Sequence, residues 1–144
     1  MTAKELYLEA MRRADAGERE GFIDLFTDDC NYVVPGAEVR GKQQLREWLK
    51  PFWEGFPNFR HDLGRTVSES DDVVVGEGVW TGVHTGTMTT PGGDLPPTGR
   101  TVSFRFALVG IRAADGEHVQ TVNLYFDQLE FLGQLGVLPE SAAA

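Results

Sequence analysis

The hydrophobic pattern of this chain changes period once, at Phe59, and that switch sets the order in which helices and sheet can be assembled. Before it, apolar residues recur at helical spacing. A Thr2-Ala3-Lys4-Glu5 capping box precedes Leu6, Ala10 and Ala14, with Tyr7 and Met11 beside them, and Gly17 stops the run. Glu18 to Phe26 reads as a second, short helix. Cys30 to Val34 is β-rich and closes at Pro35-Gly36. A third helix carries Leu45, Trp48, Leu49 and Phe52 on one face, and Pro51 is expected to end or kink it near Lys50.

After the switch, Phe59–Val67, Val73–Met88, Arg100–Ile111 and His118–Phe126 alternate as strands do, and Asp115-Gly116 is a strong hairpin signal. The glycines of the long second strand predict bulges or bends. Thr89 to Gly99, rich in Pro and Gly, is long for a hairpin and is a candidate pocket rim. The last strand runs directly into a leucine-rich helix that Gly136 and Pro139 close. Helices first and a curled sheet second give an α+β domain: a cone of antiparallel or mixed sheet, N-terminal helices packed on its concave face, and a short C-terminal helix. The domain is expected over residues 1–140, with 141–144 as a frayed tail. The inner face of such a cone is where a small-molecule cavity lies.

With 144 residues the chain can bury one sizeable core. A net charge of −9 repels phosphates, so neither nucleic acid nor an anionic membrane is the expected partner. Cys30, the lone cysteine, cannot close an intrachain disulfide. No secretory leader and no apolar stretch near the ~20 residues of a membrane span is visible, which makes a cytoplasmic location the default. Three histidines without ligand spacing give no metal motif, and there is no phosphate loop, nucleophile elbow or dinucleotide fingerprint. No cofactor or metal is expected.

On the last strand, Thr121, Asn123, Tyr125 and Asp127 share one face, and Val122, Leu124 and Phe126 share the other. The polar set, bulky for solvent decoration, is read as pocket lining. Trp80, Gly82 and His84 share a face of the long strand. His84 reads equally as a strand-end histidine or a pocket residue. His61, among apolar neighbours, reads first as a hydrogen-bonded core histidine and second as a site residue. Arg105, on a face with Ser103 and Ala107, reads first as the partner of a surface carboxylate and second as a ligand contact. Tyr32, Trp53 and Trp80 are expected to be core aromatics that also form pocket walls.

The stretches VWTGVHTGTM, PPTGRTVSF and YFDQLEFLGQLGVL resemble the SnoaL-like polyketide cyclases, a branch of the nuclear transport factor 2-like superfamily. The likeness spans nearly the whole chain. It implies a cone enclosing a ligand cavity, a homodimer, and cofactor-independent ring closure by intramolecular aldol chemistry on an aromatic or polycyclic ketone of secondary metabolism. In that chemistry an Asp at the end of the last strand is both acid and base, and Asp127 matches it. His84 is its candidate neighbour, with Tyr32, Trp53, His61, Trp80, Arg105, Asn123 and Tyr125 as substrate contacts. Thr121 and Asn123 stand where many relatives carry Glu and Trp. Gly82-Val83-His84 lacks the Arg of epoxide-opening relatives, which leaves the triad of that reaction incomplete. The fold also serves modules that only bind hydrophobic ligands or dimerise, and cofactor-free hydroxylases and isomerases.

Asp127 itself carries two readings with opposite electrostatics. Asp127 to Glu130 is a capping box, and a capping carboxylate has its pKa depressed, whereas a buried general acid needs its pKa raised.

Overall fold

A computed structural model describes residues 1–138; Pro139 and the 141–144 tail lie outside them. Helix α1 (Ala3–Asp15) starts where expected, with the Thr2 hydroxyl accepting from the Glu5 amide at 3.1 Å. Gly17, at φ +74°, turns the chain into α2 (Arg19–Ile23), shorter than the pattern suggested because Phe26 already belongs to β1 (Phe26–Val34). The Pro35-Gly36 turn leads into a short strand that the sequence reading lacked, β2 (Ala37–Arg40), paired antiparallel from Val34↔Ala37 outward.

Helix α3 (Gly41–Gly55) continues past Pro51. The expected stop fails because the residues beyond it are committed to the core: Trp53 is buried and Phe56, the cap, has no exposed surface. Burying two such side chains, at up to roughly 3 kcal/mol each, outweighs the ~3 kcal/mol penalty of an internal proline.

Strands β3 (Arg60–Ser70), β4 (Val73–Val83), β7 (Thr101–Arg112) and β8 (Val119–Phe126) complete a six-stranded sheet in the order β2-β1-β8-β7-β4-β3. Only β1 and β8 run parallel. Between β4 and β7 lies a small separate hairpin, β5 (Met88–Thr90) and β6 (Gly93–Leu95), formed within the Pro/Gly stretch. The expected bulges in β4 are absent: its register with β7 is continuous from Val73 to Val83, and the irregularities fall in β3 instead. At Gly76 the glycine serves close approach, since a Cβ there would lie 2.5 Å from the Tyr7 ring of α1.

Helices α1 and α3 fill the concave face, α1 against β3, β4 and β7, α3 against β1 and β2. Helix α4 (Gln128–Leu135) packs on β7 and ends at Gly136, φ +80°, as its pattern predicts. The Gln134 amide donates to the Ser103 carbonyl at 2.8 Å and accepts from its N–H at 2.6 Å, replacing the strand neighbour that β7 lacks beyond Phe126. No helix among the described residues is long and apolar enough to cross a membrane.

Candidate active site

The inner face of the cone forms a hollow that is partly open to solvent. Its walls come from every layer: Met11 and Ala14 of α1, Trp48, Phe52 and Trp53 of α3, and the inward residues of β1, β3, β4, β7 and β8. Cross-strand register stacks the aromatics. Trp80 lies opposite Phe104, with rings 5.0 Å apart and 20° from parallel, and Phe104 in turn stacks on Phe126 at 5.0 Å. Trp48, Phe52 and Phe126 also line an outer groove that runs between α3, the β5 strand with Pro91 beyond it, and α4, so these three rings divide the hollow from that groove. Tyr32, Trp53 and Trp80 therefore lie in the cavity wall, as does His61, whose first reading was a hydrogen-bonded core histidine.

The remaining expected site residues do not. Alternation along β8 separated two faces correctly but assigned them the wrong way round. Leu124 and Phe126 line the cavity and Val122 is buried, whereas Tyr125 is 60% exposed and Asn123 lies on the same outer face. Three apolar side chains outbid a polar set for the desolvated side, whatever the bulk of the polar residues. Arg105 is exposed on that outer face. Asp127, two residues on from Tyr125, is exposed as well, and its Oδ1 accepts from the amides of Leu129 at 3.0 Å and Glu130 at 3.1 Å. It is the N-cap of α4 and takes no part in the cavity wall.

His84 faces inward, yet lies outside the cavity wall, fully buried with its ring 5.2 Å from that of Phe56. The Thr98 amide donates to Nδ1 at 3.1 Å, so the proton of the neutral ring sits on Nε2. His84 also exchanges backbone hydrogen bonds with Gly99 and Arg100 at 2.9 Å each. It pins the Thr98–Arg100 segment to the end of β4. Burial pushes its pKa below the ordinary value, the Gly86 backbone opposing in part. A neutral, sealed histidine holding a loop is a structural part.

One constellation escaped the sequence reading. His61 Nδ1 lies 2.6 Å from Asp15 Oδ1, and the His61 backbone N–H donates to both Asp15 oxygens at 3.1 Å. A carboxylate only accepts, so Nδ1 carries the proton and the neutral ring presents its lone pair at Nε2, for which no partner exists among the described residues. The His61 side chain is 13% exposed and packs edge-on against Phe59 and Phe106. A sequence signal for Asp15 did exist: it is an acid in the last turn of α1, where the helix dipole disfavours negative charge. Such a residue asks for a partner from elsewhere in the fold.

Comparison with known proteins agrees with this architecture. The family profile of the SnoaL-like domain matches residues 5–121. No curated protein sequence matches the chain. Among solved structures, AclR of Streptomyces galilaeus, proposed to be a hydroxylase, superposes with a TM-score of 0.79 at 21% identity, over 95% of this chain and 97% of that one. A proposed SnoaL-like polyketide cyclase from Jannaschia sp. CCS1 gives 0.75 at 21% identity, covering 94% and 92%. TerC, crystallised with polyporic acid, gives 0.68 at 16% identity, covering 92% and 96%. At these identities the structures establish the shared fold and nothing about the reaction.

Proposed function

The chain belongs to the SnoaL-like family, and from that premise we propose that it is an acid/base enzyme acting on an aromatic or polycyclic, polyketide-like ketone held in the hollow of the cone. The observation that carries this reading is the cavity itself: walls of stacked Trp and Phe rings match flat ring systems, and the lining also includes an imidazole. A proton between two carbonyls is acidic enough for one side chain in a dry site to remove. The resulting carbanion attacks a second carbonyl of the same molecule, and the new alkoxide takes a proton back, which closes a ring without change of mass. TerC, of the same fold, was crystallised with polyporic acid, which accords with small-molecule binding in such a cone. Asp127 is left out of this chemistry because its carboxylate is engaged by its own helix.

All three tryptophans of the chain line the hollow, so ligand entry has a built-in reporter. Titration with a hydroxyanthraquinone should quench the intrinsic fluorescence saturably, and a linear polyketone should be converted to an isomer of equal mass. Absence of both would end the reading. The scarcity of polar groups in the lining supports a second reading, binding of a hydrophobic ligand without turnover. Saturable quenching with no isomerised product from any polyketone would select it.

The outer sheet face leaves Val73, Val75, Val83, Ile111 and Tyr125 exposed, and we place a homodimer contact there. Val122, Leu124 and Phe126, the apolar face of the last strand, point inward and take no part in it. Sedimentation velocity should show a dimer that Tyr125→Glu weakens; an unchanged dimer in that variant argues against this face.

A further inference from the structure

We propose that the Asp15–His61 pair is the proton-transfer centre of the cavity, with His61 as its general base and acid and Asp15 as the residue that positions it. The proposal rests on the reading of the hollow as a substrate site. The rest of the lining is made of Met, Ala, Leu, Phe, Tyr and Trp side chains, so His61 is the one lining group of a type that exchanges protons near neutrality. Burial pushes the one lining tyrosine, Tyr32, further up and out of use.

The orientation of the imidazole is fixed three times over. Asp15 accepts from Nδ1–H, the His61 backbone N–H donates to the same carboxylate, and Phe59 and Phe106 stand edge-on at 5.7 and 5.6 Å. Nε2 remains as the nitrogen with no bond among the described residues. As that nitrogen takes a proton, the Asp15 carboxylate 2.6 Å from the other one stabilises the cation that forms. Trp53 lines the same cavity with its ring, while its indole N–H is buried and has no hydrogen-bond partner among the described residues.

Elimination of 5-nitrobenzisoxazole tests this without knowledge of the natural substrate. His61 Nε2 takes the proton from C3, and the C–H pair becomes the third bond of a nitrile. The N–O bond breaks with its pair on oxygen, which leaves 2-cyano-4-nitrophenolate as a coloured product. The wild-type protein should accelerate this on the order of a hundredfold over free imidazole at equal concentration. His61→Gln should lose that acceleration. Asp15→Asn should lower kcat about tenfold or more at little-changed KM and melting temperature, and Asp15→Glu should recover part of it. Asp127→Asn should leave kcat unchanged.

A wild-type rate no higher than that of His61→Gln overturns the proposal, whether or not the probe binds. So does an Asp15→Asn variant with full kcat. If His61→Gln fails to fold, the Asp15→Asn and Asp15→Glu pair still decides. Failure of the hydroxyanthraquinone to quench, with elimination intact, would sink the ring-ketone reading and leave the base in place.

Discussion

Two carboxylates at helix ends, Asp127 and Asp15, sit in opposite electrostatic settings. Asp127 lies at the N-terminus of α4, where the dipole favours a negative charge, and its own helix supplies both hydrogen bonds. Asp15 lies in the last turn of α1, where the dipole opposes it, and its partner comes from a strand 46 residues away. An acid wholly explained by local rules need do nothing else. An acid that a local rule opposes has been kept for a tertiary reason, and here that reason is a histidine in the wall of the cavity.

This contrast can be broken by stability measurements as well as by kinetics. The largest expected effect is at Asp15. Asp15→Ala leaves the Nδ1–H and backbone N–H of His61 without their acceptor and should cost about 1–3 kcal/mol, less the few tenths to ~1 kcal/mol returned by removing a charge from the wrong helix end. Urea unfolding at unchanged m-value measures it, and no loss would mean the pair is incidental. Next comes Gly136, at φ +80° with the Arg100 guanidinium 2.8 Å from where a Cβ would lie. Gly136→Ala should destabilise by roughly 1–2 kcal/mol, because the residue must stay left-handed.

At Asp127 the effect should be smaller and selective. Asp127→Ala should lose about 1 kcal/mol and Asp127→Asn only a few tenths, since an amide oxygen caps nearly as well. Equal losses in both would mean that the charge itself has a role. The smallest effect at neutral pH concerns His84. Its pKa is lowered by burial from the ordinary 6.5, so the unfolded chain binds more protons below that value, and stability is fully present above about pH 6.5 and declines as pH falls toward the lower folded-state pKa. Thermal scans from pH 7 to pH 5.5 should show this decline, and His84→Gln should flatten it. A flat wild-type profile would show that His84 is reached by water.

The architecture was largely legible because it follows from local periodicity: the α1 cap, the change to alternation at Phe59, the Asp115-Gly116 turn and the Gly136 stop all lie where the pattern put them. What failed were judgements that need a third dimension. Alternation along β8 defines two faces, but only the helices above decide which of them is dry, so Tyr125 and Leu124 were exchanged. Pro51 looked like a stop because its penalty is local, whereas the compensating burial of Trp53 and Phe56 is not. His61 was within reach, and Asp15 stood out as an acid at the wrong end of its helix, but nothing in the vicinity of either residue names the other. The resemblance led to the right family and, through Asp127, to the wrong side of the sheet for this chain's cavity.

The clasp between Gln134 and Ser103 has a consequence for solubility. Past the end of β8, strand β7 would offer a bare N–H and C=O pair, the kind of margin on which a foreign strand can add itself and begin an aggregate. One glutamine on a short terminal helix occupies that margin, so helix α4 guards the domain against its neighbours as well as closing it. Gln134→Ala should therefore show itself less in the melting temperature than in turbidity at high protein concentration.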